Sequence, residues 1–135
     1  MRKIFVDSDY VIDYLRGHTY TKALIEKIRS KEFEAYISVT TLFELYVGAL
    51  LSTNPKKKFE DIETLLNWFQ VIDINKAVMF LAAKIHVDLR KRGLMIEIQD
   101  TLIAASSISM NMTLLTNNRK HFQNIKGLSL VTTLV

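Results

Sequence analysis

Acidic side chains stand isolated in apolar surroundings at three places along this chain. Asp7 and Asp9 flank Ser8 directly after the apolar run that ends at position 6. Glu44 is the only charged residue between positions 35 and 55, and Asp100 is the only one between positions 99 and 118. Oxygen ligands without histidine or cysteine are the set that Mg²⁺ and Mn²⁺ prefer. If these carboxylates converge, they suit hydrolysis of a phosphodiester bond, in which one or two cations activate water and stabilise the leaving oxygen.

Each of these acids also has a local structural interpretation. The serine and the two acids after position 6 can cap the first amides of a helix, and Asp100 in a first helical turn is favoured by the helix dipole. The segment Thr41–Glu44 has the spacing of a capping box, in which Glu44 reaches back to the amide that begins its helix. The apolar residues around Glu44 nevertheless predict that it is buried, and a buried carboxylate needs a partner. Asn118, in a polar segment directly after an apolar run, is a fourth candidate.

Short apolar runs alternate with longer helical patterns along the chain. The runs predict strands over residues 4–6, 36–39, 71–74, 113–116 and 128–131. The periodic segments predict helices over residues 10–16, 21–31, 41–51, 59–69, 77–92 and 99–110, with breaks at Gly17, Asn54–Pro55 and Gly93. Apolar strands separated by helices predict a three-layer α/β fold, in which a short parallel sheet of about four or five strands is covered on both faces. Ligands of such sheets lie beyond the carboxyl ends of the strands, where the isolated acids would meet.

Composition limits the classes of protein that are possible. The 135 residues contain one proline, four glycines and no linker-like stretch, which predicts a single domain over residues 1–135. With 49% apolar and 24% charged residues the chain is not intrinsically disordered, and without cysteine it has no disulfide, zinc–thiolate site or catalytic thiol. No apolar run is long enough for a membrane span, and Asp7 interrupts the first run too early for a signal peptide. We therefore expect a cytoplasmic protein.

Four segments, in this order, resemble the motifs of PIN-domain ribonucleases of the VapC toxin type: Phe5–Gly17, Phe43–Gly48, Asp100–Ala105 and Thr116–Phe122. Any one of these motifs is weak evidence, but four in register across nearly the whole chain are specific. The resemblance implies a PIN-like three-layer fold and an endoribonuclease that depends on Mg²⁺ or Mn²⁺ and leaves 5′-phosphate and 3′-hydroxyl ends. It also implies that the protein is the toxin of a type II toxin–antitoxin system, neutralised by a small VapB-like antitoxin in a prokaryotic cytoplasm.

The resemblance assigns roles to individual residues. It places the acids of the family on Asp7, Glu44 and Asp100, which would hold the cation, with Glu44 holding it from the opposite side or orienting the attacking water. Ser8 matches the small hydroxyl residue that follows the first acid, and Thr116 matches the hydroxyl residue that begins the last motif.

Two positions depart from the pattern of the family. Asp9 stands where the family often has asparagine, and Asn118 stands where many members have a fourth acid. An asparagine can bind a cation through its carbonyl oxygen but brings no charge, so the number of bound cations, one or two, stays open. We expect Asn118 to belong to the catalytic set, where it and Thr116 would position water or the scissile phosphate, and Asp9 to support it. Glu97 is interpreted as a solvated loop residue.

Basic segments supply the positive charge that RNA needs near an acidic pocket. The net charge of +4 permits an anionic partner without requiring one. We predict RNA contacts for Arg119 and Lys120, and for Arg90 and Arg92. The run Lys56–Lys58 is explained as a solvated helix end. The three histidines have no metal-ligand spacing and are interpreted as structural or surface residues.

Two helices carry more apolar residues than one core needs: Val47, Leu50, Leu51, Leu65, Leu66, Trp68 and Phe69. The surplus predicts a homodimer face or a groove for a helix of the antitoxin. Two other functions are compatible with an α/β protein that has acids after its first strand. A phosphate-accepting receiver domain needs an acceptor acid at a second strand end, but Asp61 falls inside a helical pattern. A catalytically inactive PIN-like module that only binds RNA or protein stays open because of Asn118.

Overall fold

A five-stranded parallel sheet forms the centre of the fold in the computed structural model, which describes residues 2–134. The strands are, in chain order, β1 (Arg2–Val6), β2 (Phe33–Ser38), β3 (Phe69–Ile72), β4 (Thr113–Leu115) and β5 (Leu130–Val131). Their order across the sheet is β3-β2-β1-β4-β5, and every neighbouring pair is parallel. The predicted parallel α/β sheet is confirmed.

Helices cover both faces of this sheet. They are α1 (Ser8–Leu15), α2 (Lys22–Arg29), α3 (Val39–Leu51), α4 (Pro55–Leu66), α5 (Lys76–Lys91), α6 (Ile98–Ser109) and the short α7 (Arg119–Phe122), with a 3₁₀ turn over Thr19–Thr21. Successive side chains of β1 point to opposite faces: Ile4 and Val6 pack into a core with α1 to α4, and Phe5 packs into a second core with α5 to α7. Within the described chain no helix is both long and apolar enough to cross a membrane.

The ends of the predicted helices lie within two residues of the observed ends, except around α4 and at α7. Helix α3 begins at Val39, which was predicted to end a strand. We expected a helix over residues 59–69, but α4 begins at Pro55, because proline fits the first helical position and Asn54 caps the helix by accepting a hydrogen bond from the Lys57 amide (3.2 Å). Phe69 lies in β3, where it pairs with Ala35. The four-residue α7 has too short a pattern to be predicted.

The predicted surplus of apolar residues is divided between core and surface. Leu65 and Phe69 are buried, so the core accounts for them. Val47, Leu50 and Leu51 on α3 are 39%, 65% and 83% exposed. The exposed members of the predicted set therefore lie on one face of α3.

The order of the strands creates a crevice beside β1. From β1 the chain builds the sheet outward through β2 and β3, and then crosses to the other side to add β4 and β5. Adjacent strands whose connections leave in opposite directions open a crevice at their carboxyl ends. Here the ends of β1 and β4 are tied directly, since the Asp7 amide donates to the Leu115 carbonyl (2.9 Å).

Candidate active site

Asp7 lies at this crevice and is held by hydrogen bonds on both carboxylate oxygens. It follows β1 and is the N-cap of α1, with Oδ1 accepting from the Ser8 amide at 2.8 Å. Its Oδ2 accepts from the hydroxyl of Thr116 at 2.7 Å. Asp7 is 2% exposed and Thr116 fully buried, so these bonds replace water and fix the direction of the carboxylate. The N-cap interpretation is confirmed for Asp7, which also lies at the carboxyl end of β1, as expected.

Asp9 joins α1 to the loop after β4. Its Oδ2 accepts from the Asn117 amide and from the side-chain Nδ2 of Asn118, both at 3.1 Å, and its Oδ1 accepts from the Tyr10 amide at 2.8 Å. Burial and the neighbouring charge of Asp7 raise the pKa of Asp9 to about 7. The two positions that depart from the expected pattern are thus hydrogen-bonded to each other.

Glu44 enters the crevice from the first half of α3. Burial raises its pKa, and the carboxylates of Asp7 and Asp100 add to the effect, while a hydrogen bond with Ser8 opposes it. The Ser8 hydroxyl also lies 3.5 Å from Oδ1 of Asp7, so it stands between two of the acids. Glu44 is half-buried rather than fully buried, because it faces this crevice and not the core.

The predicted capping box at Thr41–Glu44 is wrong. Helix α3 begins at Val39 with Ser38 as its N-cap, whose hydroxyl accepts from the Thr40 amide at 3.2 Å. Glu44 is therefore too far along the helix to reach the capping residue. Its partner is Ser8, on another helix, which sequence spacing within α3 could not indicate.

Asp100 lies in the first turn of α6 and faces the same crevice. Burial and the charge of Asp7 raise its pKa, and His121 acts in the opposite direction. Oδ2 of Asp100 lies 3.1 Å from Nδ1 of His121 on α7. His121 had been interpreted as a structural or surface residue, because it lies 21 residues from Asp100 in a segment too short for a helical pattern to show.

Three carboxylates from separate elements thus share one electrostatic site at the end of β1: Asp7, Glu44 and Asp100. The donors are oxygen atoms, the set that suits Mg²⁺ or Mn²⁺. Within residues 2–134 no group of three or more Asp, Glu, His or Cys side chains is already placed to hold a metal ion. The chemistry of the donors fits such a cation, and binding would require the carboxylates to approach one another.

The predicted RNA-binding residues divide into two sets. Lys120 lines a surface groove together with Asp100 and His121, and Arg119 is exposed beside it at the start of α7. Arg90 and Arg92 lie at the end of α5. Arg92 is bound to Asp88 and to the Asn124 carbonyl, both at 2.6 Å, which ties α5 to the segment after α7.

The sequence also matches a known family over most of its length. The family model of the PIN domain matches residues 4–128. The chain belongs to the PIN-domain family. The fold is therefore that of a PIN domain, as the resemblance implied.

Two curated PIN-domain relatives span nearly all of this chain. Ribonuclease VapC1 of Rickettsia felis is 32% identical over 132 residues, which are 96% of this chain and 95% of that protein. Ribonuclease VapC1 of Methanocaldococcus jannaschii is 29% identical over 128 residues, 95% of this chain and 85% of that protein. Among solved structures, that of VapBC2 from Rickettsia felis bound to a DNA fragment from their promoter superposes with a TM-score of 0.87 at 26% identity, covering 96% of this chain and 97% of that one.

The alternative of a receiver domain fails on the placement of Asp61. This residue lies inside α4, where it pairs with Lys57 at 2.8 Å, one helical turn away. It is not at a strand end and does not face Asp7 across a second strand. The acids of this PIN domain instead come from the end of β1 and from two helices.

Proposed function

We propose that this protein is an endoribonuclease that depends on Mg²⁺ or Mn²⁺ and serves as the toxin of a VapBC-type toxin–antitoxin pair in a prokaryotic cytoplasm. The observation that carries the proposal is the meeting of Asp7, Glu44 and Asp100 at one sheet edge, in a chain whose relatives are named VapC ribonucleases. Each carboxylate comes from a different element. Ordinary helix capping explains Asp7 alone and does not explain the group.

Asp7, Glu44 and Asp100 are the residues that would hold the cation. When bound, a divalent cation neutralises charge on the phosphate and lowers the pKa of water, which is the chemistry that phosphodiester hydrolysis needs. Attack by water rather than by the ribose 2′-hydroxyl would leave a 5′-phosphate and a 3′-hydroxyl. The raised pKa values of Glu44 and Asp100 are consistent with a site whose negative charge a bound cation would neutralise.

The remaining residues hold the acids in place. Thr116 donates to Asp7, and the Asn118 amide in turn donates to Oγ1 of Thr116 at 2.9 Å, so the loop after β4 is built around one carboxylate. The Asn118 side chain donates to Asp9, which leaves its carbonyl oxygen to meet water or a phosphate-bound cation. Glu44, whose side chain contacts Ser8, would hold the cation from the opposite side or orient the attacking water.

RNA would reach this acidic crevice along its basic rim. Lys120 lines the groove that leads to Asp100, and Arg119 stands next to it. Both side chains are exposed, which suits contacts with phosphates. Arg92 is engaged with Asp88, so within the predicted set the two residues of α7 are the better placed.

A VapB-like antitoxin and a second copy of the chain are the proposed protein partners. A groove lined by Leu15, Leu45 and Ile62 runs between α1, α3 and α4, and Glu44 also lines it. An apolar groove of this kind accepts an amphipathic helix, and its contact with Glu44 would let a partner block the site. The exposed face of α3, with Leu50 and Leu51, is available to a homodimer.

Substitution of Asp7 by asparagine tests the proposed activity. Asp7→Asn keeps the shape and can still cap α1, but it removes the charge that the cation needs, so we expect cleavage of defined RNAs to fall by at least about 100-fold. Cleavage would be measured with Mg²⁺ and Mn²⁺, with EDTA as the blank, and the new ends would be mapped. Asp73→Asn is the matched control, since Asp73 also follows a strand directly but is exposed and outside the site; it should cleave like the wild type.

Two results would contradict the proposal. The first is cleavage by Asp7→Asn protein at the wild-type rate, which would place the activity elsewhere or in a contaminant. The second is a wild-type protein that binds RNA but cleaves none of it with either cation, which would favour the inactive RNA-binding module instead.

A further inference from the structure

His121 is the one hydrogen-bonding side chain that Asp100 has in the described part of the chain. The contact joins Nδ1 of the imidazole to Oδ2 of the carboxylate at 3.1 Å. An ionised carboxylate only accepts hydrogen bonds, so Nδ1 carries the proton and donates. This hydrogen bond occupies Oδ2 of Asp100. Among the described residues, Oδ1 has no side-chain partner and is available to bind a cation.

The pair differs from an ordinary ion pair on a surface. Exposed pairs contribute little because water screens them and both side chains lose entropy. The Asp100 side chain, however, is only 17% exposed, whereas that of His121 is 55% exposed. The imidazole therefore shields one side of a largely buried carboxylate and restricts its rotation.

The backbone holds His121 firmly in this position. Its own amide donates to the Asn118 carbonyl at 2.9 Å, which closes the first turn of α7. The next residue, Phe122, is fully buried in the core under α6, so the short helix is anchored against the helix that carries Asp100. A side chain mounted in this way can hold a partner in one orientation.

We infer that His121 is a positioning residue: its Nδ1–H holds Oδ2 of Asp100 and so sets the direction in which this carboxylate meets a divalent cation. Residues that hydrogen-bond to a metal ligand commonly fix its orientation, and their loss weakens metal binding by about 10- to 100-fold. The inference rests on the proposed function, because it gives Asp100 the role of a cation ligand.

Asparagine and glutamine at position 121 separate positioning from charge or bulk. The Nδ2 of asparagine is two bonds from Cβ, as Nδ1 of histidine is, and it can donate to Asp100 from the same place. The Nε2 of glutamine matches the other ring nitrogen and cannot. Both amides are uncharged, so a difference between them cannot come from the charge of the imidazole.

The test is the dissociation constant for Mn²⁺, measured by isothermal titration calorimetry on the full chain, with melting temperatures to show that each variant is folded. We expect His121→Ala and His121→Gln to bind Mn²⁺ about tenfold more weakly than the wild type, and His121→Asn to stay close to it. His86→Ala is the matched control, because His86 lines the same groove without contacting Asp100, and it should bind like the wild type.

The outcomes separate this inference from the proposed function. If the wild type binds Mn²⁺ and cleaves RNA while His121→Ala binds Mn²⁺ equally well, the inference is wrong and the function stands. Equal weakening by asparagine and glutamine would also overturn it, because the position of the donor would then not matter. A wild-type protein that binds no Mn²⁺ would overturn both. If His121→Ala does not fold, the comparison of His121→Asn with His121→Gln decides whether the inference holds.

Discussion

Among single residues, Asp9 and Asn118 are the two that depart from the pattern of the family, and a hydrogen bond joins them. The resemblance places an asparagine at the first position and an acid at the second, and this chain carries the reverse. The structure joins the two at 3.1 Å, with the amide of Asn118 donating to the carboxylate of Asp9. The hydrogen bond therefore needs one acid and one amide, and the acid now lies on α1 instead of on the loop after β4.

This carboxylate should make the stability of the metal-free protein depend on pH. The pKa of Asp9 is raised to about 7 from its ordinary 3.8, chiefly by burial and by Asp7. Between these two values the folded chain keeps a proton that the unfolded chain has released, so the free energy of unfolding should fall as pH rises from about 4 to about 7, and level off above that.

Asp9→Asn should flatten this dependence. At pH 8 we expect the metal-free variant to be more stable than the wild type by roughly 1 kcal/mol. The gain is limited because partial exposure screens the charge of Asp9, and because the variant loses the oxygen that accepts from the Asn117 amide and the Asn118 side chain. Urea denaturation from pH 4 to pH 8 measures it, with Asp73→Asn as the control. Parallel curves for wild type and Asp9→Asn would show that the proton is not held at Asp9.

Among the elements, helix α3 has three faces in different environments: one in the core, one in solvent and one at the groove. Leu45 and Ala49 are buried in the core, while Leu50 and Leu51 are exposed to solvent. The third face carries Glu44 and, four residues later, Gly48, both of which line the groove beside α1 and α4. Hydropathy alone could not separate these faces, because the helix is apolar on nearly every side.

Gly48 is a glycine that the backbone of α3 does not require. A Cβ atom built on it meets nothing within 4 Å, and its φ is not positive. Gly48→Ala should therefore raise the free energy of unfolding by about 0.5–1 kcal/mol, since alanine loses less conformational entropy in a helix.

Gly17→Ala is the control for this prediction, because the same substitution should there have the opposite effect on the free energy of unfolding. Gly17 ends α1 with a φ of 83°, which alanine adopts only with strain. The same chemical change should there lower the free energy of unfolding by roughly 1 kcal/mol. Thermal melting of both variants measures the two effects, and a shift in the same direction for both would contradict the argument.

At the scale of the whole molecule, the net charge of +4 conceals an uneven distribution. Four acids gather at the end of β1: Asp7, Asp9, Glu44 and Asp100. The rest of the chain is accordingly more basic than the total suggests. An acidic crevice in a basic body should attract a cation to the crevice and a polyanion to its surroundings.

Binding of Mn²⁺ should therefore stabilise the whole fold, and more so at higher pH. Protons compete with the cation because the pKa values of Glu44 and Asp100 are raised, so the increase in melting temperature should be larger at pH 8 than at pH 6. At a concentration about 100 times its dissociation constant, the cation should add about 2.7 kcal/mol to the free energy of unfolding.

Calorimetry with Mn²⁺ and with EDTA measures this effect, and Asp7→Asn supplies the negative control. The variant should melt at the same temperature with and without the cation. An equal increase for wild type and variant would mean that the stabilising ion binds outside the crevice.

The parallel α/β architecture of this protein follows from local features of the sequence, which also single out its isolated acids. The alternation of apolar runs with helical periodicity is a local property, and it predicted the parallel sheet and, apart from α4 and α7, its helices. The solitary charges of Glu44 and Asp100 were visible because a carboxylate is costly in an apolar segment.

The partners of these acids, in contrast, depend on long-range packing. Asp7 and its partner Thr116 are 109 residues apart in the sequence, and so are Asp9 and Asn118. Glu44 on α3 contacts Ser8 on α1. Periodicity records which side of an element is buried, but it carries no information on which donor lies opposite a given carboxylate. That depends on the order of strands and the packing of helices, so His121 became a candidate only when α7 was seen to pack against α6.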